Sequence, residues 1–179
     1  MGETYEITIE GIKRQLPICE VNEHLDIAGF VIFGDVEMTV ATAKGLLKKV
    51  PAFDFIVTAE AKGIPLAYEM ARQSEKPYLV ARKVKKLYMQ EVFDVDVRSI
   101  TTDLDQHLYL DKSEADRING KRVLLVDDVI STGESLRAIE ILCERAGANI
   151  VGKCAILAEG DAKDREDIIY LEPLPLFFK

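Results

Sequence analysis

The chain has 179 residues, 48% of them hydrophobic and 30% charged, and a formal net charge of −8. That length suits one domain with a sizeable core, and the composition is that of a globular chain, neither disordered nor fibrous. The acidic excess excludes a nucleic-acid binder held by a broad basic face. A local cationic pocket stays open through Lys62, Arg82, Lys83, Lys85 and Lys86. Cys19, Cys143 and Cys154 form no C-x-x-C pair, which argues against zinc and a disulfide framework. Cys143 and Cys154 stand in apolar surroundings, as core cysteines do. The first residues, with Glu3, Glu6 and Glu10, lack the cationic and apolar regions of a signal peptide, and no apolar run has the length of a membrane span. A cytoplasmic chain without nucleic-acid or membrane partners is the expectation.

In chain order, Tyr5/Ile7/Ile9 alternate with Glu6/Thr8 as a strand with one solvent face, and Gly11 turns it into a second strand around Gln15–Val21. Gly29-Phe30-Val31-Ile32-Phe33-Gly34 follows, with Asp35 or Thr39 placed to cap a helix that ends near Lys48-Lys49, before Pro51. Asp54–Thr58 predicts a short buried strand, and Pro65–Gln73 a helix with Ile64, Tyr68 and Ala71 on its apolar face. Pro77–Ala81 is the next strand and runs into the basic segment Arg82–Lys86. Leu87–Arg98, of mixed character, reads as a long excursion that covers a site. Ser99–Thr102 and His107–Leu110 read as paired strands around a turn. After the Asn119-Gly120 turn comes the central strand, then a helix with Leu136, Ile139, Leu142 and Cys143 on one face, stopped by Gly147. Ile150–Leu157 and Ile168–Leu171 are further strands, and Leu174–Phe178 is an apolar tail. Strand-helix alternation makes a largely parallel α/β sheet with right-handed crossovers the economical arrangement.

The chemistry gathers at Val123-Leu124-Leu125-Val126-Asp127-Asp128-Val129-Ile130-Ser131-Thr132-Gly133-Glu134-Ser135. Four consecutive apolar residues suit a strand covered on both faces. Its two carboxylates fall at the carboxyl end, where open α/β sheets bind ligands. Ser131 through Ser135 then place hydroxyls and backbone N–H groups at a helix start, an anion site. Acids beside a phosphate cradle suit a ligand that carries both hydroxyls and phosphate.

This stretch resembles the thirteen-residue 5-phosphoribosyl 1-pyrophosphate (PRPP) motif of type I phosphoribosyltransferases, with Glu134 where the family often has a small residue. Glu60-Ala61-Lys62-Gly63 resembles the family's pyrophosphate loop, which often carries a cis peptide, and Arg82-Lys83-x-x-Lys86 the basic run of its purine enzymes. Gly29 to Asp35 and Ala158 to Leu176 are similar to the adenine branch, although Gly34 replaces the arginine found there. Ser99-Ile100-Thr101-Thr102 is more similar to xanthine or hypoxanthine relatives.

The resemblance implies the type I phosphoribosyltransferase fold: a largely parallel twisted sheet flanked by helices, one domain with a small N-terminal hood over roughly residues 1–36 and a core over roughly 37–179. It implies a purine salvage enzyme that makes a nucleoside monophosphate and pyrophosphate from PRPP and a free base, adenine first. Xanthine, hypoxanthine or guanine is the nearest alternative, and a non-catalytic PRPP sensor the more distant one. Asp127 and Asp128 would hold the ribose hydroxyls, and Ser131, Thr132, Gly133, Glu134 and Ser135 the 5-phosphate. Ala61, Lys62, Gly63, Arg82, Lys83 and Lys86 would bind pyrophosphate. Val129 and Phe33 would contact the base, while Glu91 and Asp103 are less favoured base-side acids. Mg²⁺ would be carried mainly by PRPP, with no direct protein ligand. A homodimer is expected. His24 and His107 have no nucleophile or metal-ligand spacing and read as structural or surface residues.

Overall fold

The computed structural model describes residues 2–98 and 105–179. The expected strand at Ser99–Thr102 and the candidate acid Asp103 lie outside them. The chain opens with an antiparallel meander, β1 (Thr4–Ile9), β2 (Ile12–Asn22) and β3 (Leu25–Ala28). Gly11 takes a left-handed φ of +78° at the β1–β2 turn, a conformation that suits glycine. Ile7 and Ile9 point into the core, as the alternation requires. Helix α1 (Val36–Leu47) is capped by Asp35, whose Oδ1 accepts the Met38 N–H at 3.1 Å. The same carboxylate accepts Arg14 at 2.7 and 2.9 Å, which ties the cap to β2. That guanidinium holds Asp35 below the usual carboxylate range.

Strand β4 (Phe55–Ala59), helix α2 (Ile64–Ser74) and strand β5 (Tyr78–Ala81) follow as expected, with β4 and β5 parallel. The apolar face of α2 differs from the expected Ile64/Tyr68/Ala71 set. Its buried residues are Leu66, Ala67, Glu69, Met70 and Ala71, while Tyr68 is exposed and meets Tyr78 edge-on at 6.0 Å. The helix is packed against both α1 and the sheet, so its buried stripe centres on Leu66/Ala67/Met70 and leaves Tyr68 outside it.

The Leu87–Arg98 segment is not all excursion. Residues Val92–Arg98 form strand β6, antiparallel to β7 (Asp105–Asp111), so the ribbon starts earlier than the sequence suggested. Arg82 and Tyr109 exchange two backbone hydrogen bonds of 2.8 Å and fasten this ribbon to the end of β5. A short helix α3 (Lys112–Ile118) follows, unexpected from the sequence, with an Asp111/Glu114 capping box.

Strand β8 (Arg122–Ile130) leads through the Ser131–Gly133 turn into helix α4 (Glu134–Arg145). Then come β9 (Asn149–Glu159), a 3₁₀ turn at Gly160–Asp164, β10 (Ile169–Leu174) and β11 (Leu176–Phe178). The central sheet has the order β10-β9-β8-β4-β5, and its strands are parallel throughout. The apolar run of β8 explains itself here. Leu124 and Val126 join the core with α1 and α2 on one face; Val123 and Leu125 join the core with α3 and α4 on the other. The apolar tail becomes the fourth strand of the small sheet, β1-β2-β3-β11, so that sheet is not built from the N-terminal segment alone. Cys143 and Cys154 are buried, and burial pushes the Cys143 thiol up to about 12.

Gly63, at the start of α2, sets how closely the loop after β4 packs on the carboxyl ends of β4 and β8. A Cβ there would lie 2.5 Å from Thr58 Oγ1 and 3.3 Å from Asp127 Cα, so the loop or its neighbours would have to shift. Gly63→Ala is therefore expected to lower stability by about 1–3 kcal/mol in urea denaturation. An unchanged midpoint would mean that the junction yields freely.

Candidate functional site

Three loops converge at the carboxyl ends of β4, β5 and β8. A cavity of about 380 Å³ is lined there by Glu60, Ala61 and Lys62 after β4, Lys83 after β5, and Asp127, Asp128 and Val129 of β8, with Leu108 and Ser135 closing it. A smaller recess of about 50 Å³ adjoins it, formed by Ser131 through Leu136 and sharing Asp127, Val129 and Ser135 with the first. The sequence motif thus folds into two connected compartments, one beside acids and lysines and one ringed by the Ser131–Ser135 turn.

Asp127 and Asp128 are adjacent along β8, and their proximity has a cost. Asp128 is only 2% exposed, and its Oδ2 is buried without a hydrogen bond. Lys62 Nζ lies 3.4 Å from that oxygen. Asp127 Oδ1 accepts the Asp128 backbone N–H at 2.8 Å. Burial, and then the neighbouring Asp128 charge, push the Asp127 carboxyl up to about 7; the Asp128 N–H and Lys62 oppose them only in part. Two carboxylates here therefore share their environment with a single adjacent cation among the described residues.

At the turn, Gly133 adopts φ +83° and ψ 7°, and α4 starts at Glu134 with no side-chain cap at Gly133. The start of α4 borders the recess that this turn forms, with the Glu134 N–H donating to Thr132 Oγ1 at 3.5 Å, and a helix start has the polarity that favours an anion. The Glu60–Ala61 peptide is cis, in keeping with the resemblance of that loop.

Glu60 is the residue the sequence reading passed over. Its Oε2 accepts the Lys83 backbone N–H at 3.0 Å, and its Oε1 lies 3.7 Å from Lys86 Nζ and 4.0 Å from Arg82 Nε. Arg82 and Lys86 do not line the cavity; Glu60 tethers them to its rim. An acid immediately before the Ala-Lys-Gly loop, facing a basic run after the next strand, was the available signal. Leu108 was missed because only the β6–β7 ribbon brings it to the site. Glu159 also feels Lys62, although burial raises its carboxyl. Phe33 lies elsewhere: it is 52% exposed and lines neither compartment. His24 is exposed beside Glu23, His107 stacks on Tyr109, and neither reaches the cavity lining. Among the described residues no three His, Cys, Asp or Glu side chains form a metal cluster, and no helix is long and apolar enough to cross a membrane.

The raised Asp127 carboxyl has a measurable consequence. Well below its ordinary value of 3.8 the group is protonated whether the chain is folded or not. Between there and about 7 the folded chain keeps a proton the unfolded chain has lost, so stability falls as pH rises through this window. Asp127→Asn removes that decline. Urea denaturation across pH 4 to 7 should show the variant gaining on the wild type by up to about 4 kcal/mol. Parallel stability profiles would contradict the assignment.

Residues 42–173 match the phosphoribosyl transferase domain family. A hypoxanthine/guanine phosphoribosyltransferase of Methanococcus voltae is 41% identical over 112 residues, 63% of this chain and 56% of that protein. A xanthine phosphoribosyltransferase of Exiguobacterium sp. is 32% identical over 117 residues, 65% of this chain and 60% of that protein. The matched region thus spans somewhat over half the length of these relatives. The crystal structure of adenine phosphoribosyltransferase from Thermoanaerobacter pseudethanolicus superimposes with a TM-score of 0.65 at 22% identity, covering 96% of this chain and 95% of that one. With the parallel sheet, the acid pair and the adjoining turn already in place, the match over residues 42–173 makes this chain a member of the phosphoribosyl transferase domain family, with the type I fold.

Proposed function

We propose that the protein transfers the 5-phosphoribosyl group of PRPP to a ring nitrogen of a free purine, releasing pyrophosphate. The observation that carries this reading is the joining of two compartments through Asp127: an acid pair with lysines on one side, and the Ser131–Ser135 turn at the start of α4 on the other. The turn suits the 5-phosphate. Asp127 and Asp128 accept the ribose hydroxyls, which are donors, and so fix the sugar between the phosphate at one end and C1 at the other. Lys62 and Lys83 from the cavity wall, with Arg82 and Lys86 at the rim, neutralise pyrophosphate as it departs. As the C1–O bond breaks, positive charge grows on the sugar and negative charge on the leaving group. The carboxylates favour the first and the cations the second, without reorganisation during the step. The bond from C1 to the purine nitrogen forms on the opposite face, the ring proton passing to solvent, and Val129 offers an apolar wall to the base.

The donor set fits Mg²⁺ that rides on its ligand. Asp127 and Asp128, the latter with an orphaned buried oxygen, would lie beside a hydrated ion carried mainly by PRPP. The ion would supply charge neutralisation at the pyrophosphate oxygens.

For the base, the 41%-identical relative named for hypoxanthine and guanine supports a 6-oxopurine. The adenine expectation draws on the resemblance of Gly29 to Asp35 and Ala158 to Leu176, and the solved adenine phosphoribosyltransferase is similar at 22% identity, which speaks to fold. The distinction is chemical: a 6-oxo group accepts a hydrogen bond where a 6-amino group donates one, so a pocket built for one leaves polar groups unpaired with the other. Exposed Val31, Phe33, Val36, Val40 and Tyr68 lie on or beside α1 and α2 and support pairing with a second copy as the assembly.

The test is incubation with PRPP, Mg²⁺ and, separately, adenine, hypoxanthine, guanine and xanthine, with pyrophosphate and nucleotide measured. Turnover of a 6-oxopurine is expected at a kcat/KM at least about tenfold above adenine. Asp127→Asn combined with Asp128→Asn should lower it by about 10²–10³ or more while the chain stays folded. Tight PRPP binding with no turnover of any base would replace the enzyme by a sensor; adenine turnover alone would restore the adenine reading.

A further inference from the structure

Behind the Ser131–Ser135 turn runs a row of five charges of alternating sign. Arg137 Nη1 donates to Glu140 Oε2 at 2.8 Å, and Glu140 Oε1 receives Lys153 Nζ at 2.8 Å. Lys153 Nζ also reaches Asp167 Oδ2 at 3.2 Å. Asp167 in turn takes a two-pronged bond from Arg165, with Nε at 2.8 Å and Nη2 at 2.7 Å. The middle of the row is well sheltered, the Glu140 and Lys153 side chains being 15% and 16% exposed. Burial pushes Glu140 up, but its bonds to Lys153 and Arg137 outweigh that and hold it below its ordinary value. The fork from Arg165 holds Asp167 far below the carboxylate range. All five groups are therefore ionised at neutral pH, and Arg137 at the far end also feels Glu144.

The row ends on the phosphate turn. Arg165 uses Nε and Nη2 on Asp167, and its third nitrogen, Nη1, is set against Gly133. A Cβ at Gly133 would overlap Nη1 and lie 3.5 Å from Cζ. Gly133 is the left-handed residue that turns the chain into α4, so the guanidinium abuts the residue that aims the first N–H groups of that helix. Nothing in the turn itself is cationic: its residues are Ser131, Thr132, Gly133, Glu134 and Ser135. Arg165 is not among the residues that line the recess; it meets the turn at Gly133. The other end of the row is anchored on α4 itself through Glu140, so helix and turn are held to β9 and to the segment before β10 as one unit.

We propose that Arg165 is a positioning residue for the 5-phosphate: held by Asp167, it braces Gly133 and sets a guanidinium against a phosphate turn that bears an acid, Glu134, and no cation of its own. This rests on the PRPP reading and extends it to a residue thirty positions beyond the motif. The effect is confined to one end of the ligand, because the pyrophosphate cations belong to other loops.

The test separates the two ends with two probes, ribose 5-phosphate and inorganic pyrophosphate, bound calorimetrically to wild type, Arg165→Gln and Arg165→Lys. Arg165→Gln should weaken ribose 5-phosphate about tenfold while pyrophosphate affinity changes less than twofold. Arg165→Lys, which keeps the charge, should recover to within about threefold of wild type. In turnover, KM for PRPP should rise and kcat stay within about twofold. Equal weakening of both probes in both variants would reduce Arg165 to a fold-holding residue, and unchanged ribose 5-phosphate affinity would remove it from the site; either overturns the inference alone. A wild type that binds neither ribose 5-phosphate nor PRPP would overturn the PRPP reading, and this inference with it.

Discussion

The structure turns on two neighbouring carboxylates that the fold keeps close together and largely out of water. Asp127 and Asp128 sit near the end of a strand buried on both faces, with one lysine at 3.4 Å as their adjacent cation. Neither burial nor mutual repulsion favours this arrangement, and Asp127 responds by holding its proton to about 7. A fold selected for stability alone would place something else there. The surroundings hold the pair in position: Gly63, which lets the loop after β4 pack against Asp127, the Lys62 contact to Asp128 and the closed turn after β8.

Parallel sheet topology explains why the remaining parts gather at this place. Each βα or ββ connection leaves the sheet at the same end, so loops after β4, β5 and β8 meet although they are far apart in sequence. Glu60 joins two of them by accepting the Lys83 N–H while facing Lys86 and Arg82. The cations that would face a departing pyrophosphate are thus marshalled by a carboxylate, and the recess beside α4 is lined by backbone groups and hydroxyls. On the proposed reading, point charges would serve the end of the ligand where charge develops, and a shaped turn the end where it does not change.

Much of this was legible in the residues. The apolar run Val123–Val126, the Asp35 cap, the Gly147 stop and the face Leu136/Ile139/Leu142/Cys143 follow local rules, and all of them are found. What escaped depends on pairing at a distance. The Ile64–Tyr68 spacing suggests an apolar face, but only the position of α1 decides which stripe of α2 is covered. Val92–Arg98 is the exception: Phe93/Val95/Val97 alternate with Asp94/Asp96/Arg98, a local strand signal that the reading of Leu87–Arg98 as an excursion missed. No local signal tells Leu176–Phe178 to join β3 rather than the central sheet. At the site, the motif named the acids and the turn, and Glu60 stood in a loop already singled out but without a role, whereas Leu108 is recognisable only when the ribbon is in place. Phe33 stands outside both compartments because the apolar run that holds it alternates, burying Phe30 and Ile32 and exposing Val31 and Phe33.

The central claim is that the acid pair holds an extra proton in the free protein and gives it up when the sugar hydroxyls and their cation arrive. Binding should then be linked to proton release. The direct measurement is calorimetry of PRPP with Mg²⁺ at pH 7, in buffers of differing ionisation enthalpy, comparing wild type with Asp127→Asn so that titration of the ligand's own phosphates cancels. With a carboxyl near 7, the wild type should release about half a proton more than the variant. Equal release from the two proteins, or greater uptake by the wild type, would contradict the account.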